Sequence, residues 1–194
     1  MSEAYILTAV RTPIGIGKPG RKLSSISPVD LGAFILQAAV DLSGIAPELI
    51  DDVIWGCVTQ IGDQGANLAR LSALKAGFPV SVPAVTINRM CGSSQQAIHF
   101  AVQAILSGDM DLVIAGGTEM MSHQPIGSDW PPEWPNDFPY ELVHQGKSAE
   151  LIAQKWSLSR ESLDDYAYES HRRAMIAIQS GFFSKQIIPV ALQD

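Results

Sequence analysis

Three short apolar runs, Asp52 to Val58, Pro83 to Asn88 and Leu112 to Gly116, alternate with segments of helical period. No other feature of the chain constrains the fold as much. Each run has strand length, and the segments between them are long enough for helices. Strand, helix, strand, helix, strand needs crossover connections, and the implied class is α/β. Ala4 to Val10, rich in Ile, Leu, Val and Tyr, predicts a further buried strand, and Ile187 to Val190 a last one.

Helix boundaries are written in cap chemistry. Ser27-Pro28-Val29-Asp30 supplies an N-cap, a proline at the first helical position and an acid in the first turn. This predicts a helix to about Leu42 that buries Leu31, Ile35, Leu36 and Ala39 and stops at Gly44. A short helix is expected from Asn67 to Ala76, one from Gly92 to Leu106, and two more over Ser148 to Trp156 and Glu161 to Ser180. Gly117 to Gly146 carries five prolines with Trp130 and Trp134 and predicts a long irregular segment, packed through its aromatic residues. Gly15-Ile16-Gly17-Lys18-Pro19-Gly20 fits a dinucleotide-binding glycine pattern. The fit fails on context, because Pro19 precedes the last glycine and the next helix begins only near Pro28.

Bulk properties exclude several classes. With 46% hydrophobic and 17% charged residues the chain can bury a core and is not disordered. A net charge of −7 disfavours nucleic acid and anionic membrane as general partners. No run reaches membrane-spanning length, and the start of the chain lacks the basic flank of a leader peptide, so a cytoplasmic protein is expected. Cys57 and Cys91 have no metal-ligand spacing and are expected as free thiols.

The chemistry concentrates at Val85 to Ala97, where a strand passes through a tight turn into a helix with Cys91 at the junction. Unpaired N–H groups and the positive helix end favour a thiolate, which is the attacking form of cysteine. The same N–H groups can receive an oxyanion, and Gly92 lets a substrate approach the backbone. Ser94, Ala97, Ile98, Ala101, Val102 and Ile105 follow helical spacing and predict the buried face. From position alone, a cysteine in such a place is more often a small core residue than a nucleophile. Cys57, within Trp55-Gly56-Cys57-Val58, is read as core.

Asn88-Arg89-Met90-Cys91-Gly92-Ser93-Ser94-Gln95-Gln96-Ala97 resembles the acyl-binding cysteine motif of the thiolases. Ala9 to Gly15, Gly65 to Arg70, Ala115 to Ser122, Ser148-Ala149-Glu150 and Ser170 to Ala174 resemble further family signatures in the same order. The resemblance implies the N-terminal half of the thiolase fold: a mixed sheet with crossover helices in a core domain over 1–117, and part of an inserted CoA-binding loop domain over 118–194. It implies Cys91 as the nucleophile that carries the acyl group as a thioester. The reaction is then thiolysis of a 3-ketoacyl-CoA or the reverse condensation of acetyl-CoA. Coenzyme A is a substrate in this scheme, and no cofactor or metal is implied.

By the same resemblance His144, in Val143-His144-Gln145-Gly146, approaches the acyl-CoA sulfur, and Gln145 bears on acyl preference. For His144 a loop histidine bonded to nearby backbone is an equal alternative. His99, on a polar helix side with Gln95, Gln96 and Gln103, is read as structural, and His171 beside Arg172-Arg173 as a solvated face. The family's Gly-His-Pro histidine, second cysteine and Asn-Glu-Ala-Phe asparagine have no counterpart in these residues. The resemblance therefore implies an incomplete active site: a truncated chain, or one part of a split enzyme that a C-terminal half completes. It also implies a homo-oligomer through Pro83 to Asn88. Two rivals stand beside this reading. One is a ketoacyl-synthase-like or hydroxymethylglutaryl-CoA-synthase-like condensing enzyme, and the other a catalytically inactive acyl-CoA-binding half.

Overall fold

The computed structural model describes residues 3–192, which divide into two compact units: residues 3–130 with 186–192, and Pro131–Lys185. The first unit is built around a sheet of three strands, β1 (Asp52–Gly56), β2 (Ala84–Ile87) and β3 (Val113–Gly117), in the order β2-β1-β3. Both ladders are parallel, with Val53 opposite Ala84 and Ile114. The connections run through helices, as parallel pairing requires. Helix α1 (Pro28–Ser43) precedes β1, α2 (Leu68–Lys75) joins β1 to β2, and α3 (Ser93–Ser107) joins β2 to β3.

Alternation along β1 sorts the core into two layers. Val53 and Trp55 point to one face and pack with Leu36 and Val40 of α1, Ala69 and Ala73 of α2, and Phe78 and Val82. Ile54 points to the other face and packs with Ala97 and Ala101 of α3. Leu36 is fully buried, and its truncation to Ala would cost about 2–5 kcal/mol.

The cap chemistry holds in detail. The Ser27 hydroxyl accepts from the Asp30 N–H at 3.0 Å, and Gly44 ends α1 at φ 68°. Asn67 caps α2 from the left-handed region, at φ 61°. That strain is held by three further bonds, because its amide donates to the Ala84 carbonyl, its Oδ1 accepts from Thr86 Oγ1, and that same hydroxyl accepts from the Ala69 N–H, each at 2.9 Å. Within α1, Leu31 and Leu36 are buried as expected, while Ile35 and Ala39 are half-buried.

Three expectations need correction. Ala4 to Val10 forms no strand, since only Arg11 makes a bridge, to Ile187, and Tyr5, Ile6 and Leu7 are 63–80% exposed. Ile187 to Val190 likewise contributes that one bridge and no strand. A β-favouring sequence states a preference for extended backbone, but a strand needs a neighbour to pair with. The third correction concerns α3. Its buried face is Ser93, Gln96, Ala97 and Ala101, while Ile98 is 45% exposed. The period was legible but the phase was not: small residues take the side that approaches the sheet closely.

Residues 118–144 contain no helix or strand, as expected. Its aromatic residues pack in part: Trp130 and Trp134 are each 47% exposed, and Phe138 meets Tyr140 edge-on at 6.2 Å. In the second unit, α4 (Gln145–Lys155) and α5 (Arg160–Gln179) carry no fully buried residue. Arg172 and Arg173 both pair with Glu169, whose carboxyl is pulled down to about 2 by the two guanidinium groups, and His171 lies on the same exposed surface. No described helix is long and apolar enough to cross a membrane.

Candidate active site

The C-terminal ends of the three parallel strands lie side by side, which is where open parallel sheets place their sites. β1 runs into Cys57, β2 into Asn88 to Cys91, and β3 into Thr118-Glu119. The approach of α3 to this edge depends on glycine. A Cβ on Gly56 would lie 2.5 Å from the Ser94 nitrogen and 2.6 Å from the Ser93 carbonyl carbon. A Cβ on Gly117 would collide with the Ser94 hydroxyl. Both strand ends are therefore bare where the head of α3 rests on them.

The turn before that head is strained and locked. Met90 sits at φ 47°, a region that costs a side-chain-bearing residue about 1–2 kcal/mol. Asn88 Oδ1 accepts from the Met90 N–H at 2.7 Å, an Asx turn, and the Asn88 amide donates to the Val58 carbonyl at 2.9 Å. The Ser93 hydroxyl accepts from the Arg89 N–H at 2.9 Å and donates to the Met90 carbonyl at 2.5 Å. Asn88 and Ser93 thus fix the loop on which Cys91 is presented. Neither was identified from sequence, although an Asn two residues before a turn residue and a Ser at a helix start are recognisable local signals.

Cys91 is exposed and follows this turn directly. The N-cap of α3 is Gly92, which offers no side-chain cap. Among the described α-helices the other four all have a side-chain cap, from Ser27, Asn67, His144 and Ser159. At the helix beside the exposed thiol the turn's own backbone takes the place of a side-chain cap, the Gly92 N–H donating to the Arg89 carbonyl at 3.1 Å and the Ser93 N–H to the Met90 carbonyl at 3.0 Å. Gly92 has φ −91°, and a Cβ there would meet only the Arg89 carbonyl, at 3.4 Å. Its conformation does not demand glycine; what it contributes is the absence of a side chain next to the sulfur.

Beneath this surface lies a polar network. Glu119 accepts from the Val58 N–H at 2.7 Å, the Thr59 N–H at 3.3 Å and the Gln64 amide at 3.0 Å. Fully buried Gln64 also donates to the Thr59 carbonyl at 2.9 Å and accepts from the Met120 N–H at 2.5 Å. The Trp55 indole donates to Thr118 Oγ1 at 3.0 Å. Cys57 is 1% exposed, and burial first, then the Glu119 carboxylate, pushes its thiol up to about 12. It is inert as a nucleophile at neutral pH.

His144 and Gln145 belong to the second unit. His144 is the N-cap of α4, its Nδ1 accepting from the Gly146 N–H at 3.1 Å, and Gln145 is the first residue of that helix. His99 lies exposed on α3. No group of three or more His, Cys, Asp or Glu that could hold a metal ion occurs among the described residues.

Comparison with known proteins agrees with this geometry. Residues 4–194 match the family described as thiolase, N-terminal domain. A steroid 3-ketoacyl-CoA thiolase, FadA6, of Mycobacterium tuberculosis is 46% identical over 208 residues, covering 100% of this chain and 51% of the relative. A 3-ketoacyl-CoA thiolase of Yersinia pestis is 41% identical, covering 97% of this chain and 49% of the relative. Among solved structures, the Bacillus anthracis acetyl-CoA acetyltransferase superposes with a TM-score of 0.84 at 35% identity, over 100% of this chain and 52% of that one. The Acat5 thiolase of Ascaris suum, solved in complex with coenzyme A, gives 0.81 at 34% identity, over 99% of this chain and 54% of that one. The chain spans about half the length of the relatives it matches. With a family match along nearly all its residues and the same fold in these neighbours, the chain belongs to the thiolase family, corresponding to its N-terminal domain.

Proposed function

We propose that this chain supplies the acyl-accepting half of a thiolase, with Cys91 as the nucleophile. The observation that carries the reading is an exposed thiol on a locked turn at the head of an α-helix without a side-chain cap. In the degradative direction the Cys91 thiolate attacks the 3-keto carbon of a 3-ketoacyl-CoA. A sulfur–carbon bond forms, the C2–C3 bond breaks, and acetyl-CoA leaves as a carbanion that takes up a proton. The shortened acyl group remains on Cys91 as a thioester until the thiol of free CoA attacks it and releases the enzyme. Condensation of acetyl-CoA is the same path reversed.

The head of α3 supports this step through its dipole, which favours the thiolate by about 0.3–1 kcal/mol. Gly92 would leave room for the thioester. His144 and Gln145 would line the acyl-CoA path, a reading that rests on their place in the Val143-His144-Gln145-Gly146 motif at the start of α4. The proton-handling histidine and second cysteine of the family are to come from a C-terminal half. A homo-oligomer through the edge strand β2 accords with the 41% exposure of Val85.

The test mixes the chain with the separately expressed C-terminal half of a 3-ketoacyl-CoA thiolase and follows thiolysis of short- and long-chain 3-ketoacyl-CoA. Activity is expected in the mixture and lost in Cys91→Ala. Mass spectrometry after acyl-CoA treatment should find the acyl group on Cys91. Thiolysis by the chain alone would overturn the need for a second half. Failure to acylate Cys91 in the mixture, with any chain length, would favour a non-catalytic acyl-CoA-binding half.

A further inference from the structure

His123 follows the Thr118-Glu119 motif by a few residues and plays no part in the chemistry proposed above. Its ring lies between two acceptors. Nδ1 is 2.5 Å from Asp63 Oδ2, and Nε2 is 2.8 Å from the backbone carbonyl of Ser24. A neutral imidazole has one N–H and one lone pair, so it can satisfy only one of these partners. Two acceptors on opposite nitrogens require the imidazolium, which donates from both.

The three partners come from distant stretches of chain: the loop that leads into α1, the turn Gly62–Gln64 after β1, and the segment after β3. Asp63 is itself held in place, its Oδ1 accepting from the Gln124 amide at 3.0 Å. The Ser24 loop is otherwise bonded mainly to itself, through Ser24 N–H and Oγ to the Arg21 carbonyl and Ile26 N–H to Leu23. Its other tie to the β3 segment is close packing, since a Cβ on Gly17 would lie 2.9 Å from Met121 Cβ.

We propose that His123 is a proton-dependent staple: as the imidazolium it fastens the Gly15–Ile26 loop to the C-terminal edge of the sheet, and on deprotonation it releases the loop. The direction of its titration agrees. The hydrogen bond to the Asp63 carboxylate raises the His123 pKa; burial, the next effect, opposes it, and the Ser24 carbonyl adds to the rise, while Asp63 is the only charged group that bears on the ring among the described residues. A histidine raised in the folded state stabilises fully below its ordinary value, and that contribution disappears as pH rises through the raised one. On deprotonation the remaining proton stays at Nδ1 with the carboxylate. The Nε2 lone pair then faces the Ser24 carbonyl, and that contact turns repulsive.

The loop carries its own reporters, the exposed Lys18, Arg21 and Lys22. Trypsin cleavage after Arg21 and Lys22, normalised to a free peptide of the same sequence, should rise about fivefold between about pH 6 and pH 8.5. It should be flat with pH in His123→Gln. In Asp63→Asn, which keeps the imidazole, the rise should move to lower pH, together with the His123 Cε1–H titration followed by NMR. Circular dichroism identifies a variant that fails to fold, and Asp63→Asn then decides the matter alone. A wild-type cleavage ratio independent of pH, an unchanged slope in folded His123→Gln, or a His123 titration unmoved in Asp63→Asn would overturn the staple.

Discussion

Cys57 and Cys91 occur at the ends of neighbouring parallel strands and meet opposite fates. Cys57 continues β1 directly, its N–H bonded to the Ile87 carbonyl at 3.1 Å, with its thiol buried beside Glu119 and raised to about 12. Cys91 lies four residues beyond β2, lifted out by the Met90 turn and set exposed before an uncapped helix. The two ends meet through α3: the bare Gly56 and Gly117 form the seat on which its head rests, while Glu119 ties the segment after β3 to Val58 beside Cys57. The difference teaches that reactivity follows from the turn and the helix start. The residue type and the sheet edge are common to both.

The largest expected effect is on thiol chemistry. Alkylation by iodoacetamide near neutral pH should modify Cys91 at least about a hundredfold faster than Cys57, read by peptide mass spectrometry. Comparable rates would erase the contrast. Next comes Gly56→Ala, which drives a methyl into the α3 backbone and should destabilise by about 3 kcal/mol in urea unfolding. A neutral result would mean that the helix head is not seated on β1.

Ser93→Ala removes two of the four side-chain bonds that lock the turn, leaving those of Asn88, and leaves the Arg89 N–H without its acceptor. A loss of about 2 kcal/mol is expected, with a fall in the Cys91 alkylation preference in the still-folded variant. The smallest effects separate the cysteines again. Cys57→Ser should cost about 1 kcal/mol, whereas Cys91→Ser should stay within about 0.5 kcal/mol while abolishing acyl transfer in the complemented enzyme. A larger stability loss at Cys91 than at Cys57 would reverse the assignment of roles.

The chain order of residues determined a good deal by itself. Ser27, Pro28 and Gly44 bound α1 because capping is settled within a few residues of the helix end. Cys91 at the junction of β2 and α3 was legible for the same reason, as was the α/β alternation. What only the tertiary structure decided involves partners far apart in sequence. It placed Val53 and Trp55 on one face of β1 and Ile54 on the other, turned Ile98 outward, left Ala4 to Val10 without a partner, joined Glu119 to Val58, and set His123 between Asp63 and Ser24. Local backbone preferences are encoded in neighbouring residues, but the phase of a helix face, the pairing of a strand and the charge state of a histidine depend on groups that only folding brings within a few ångströms.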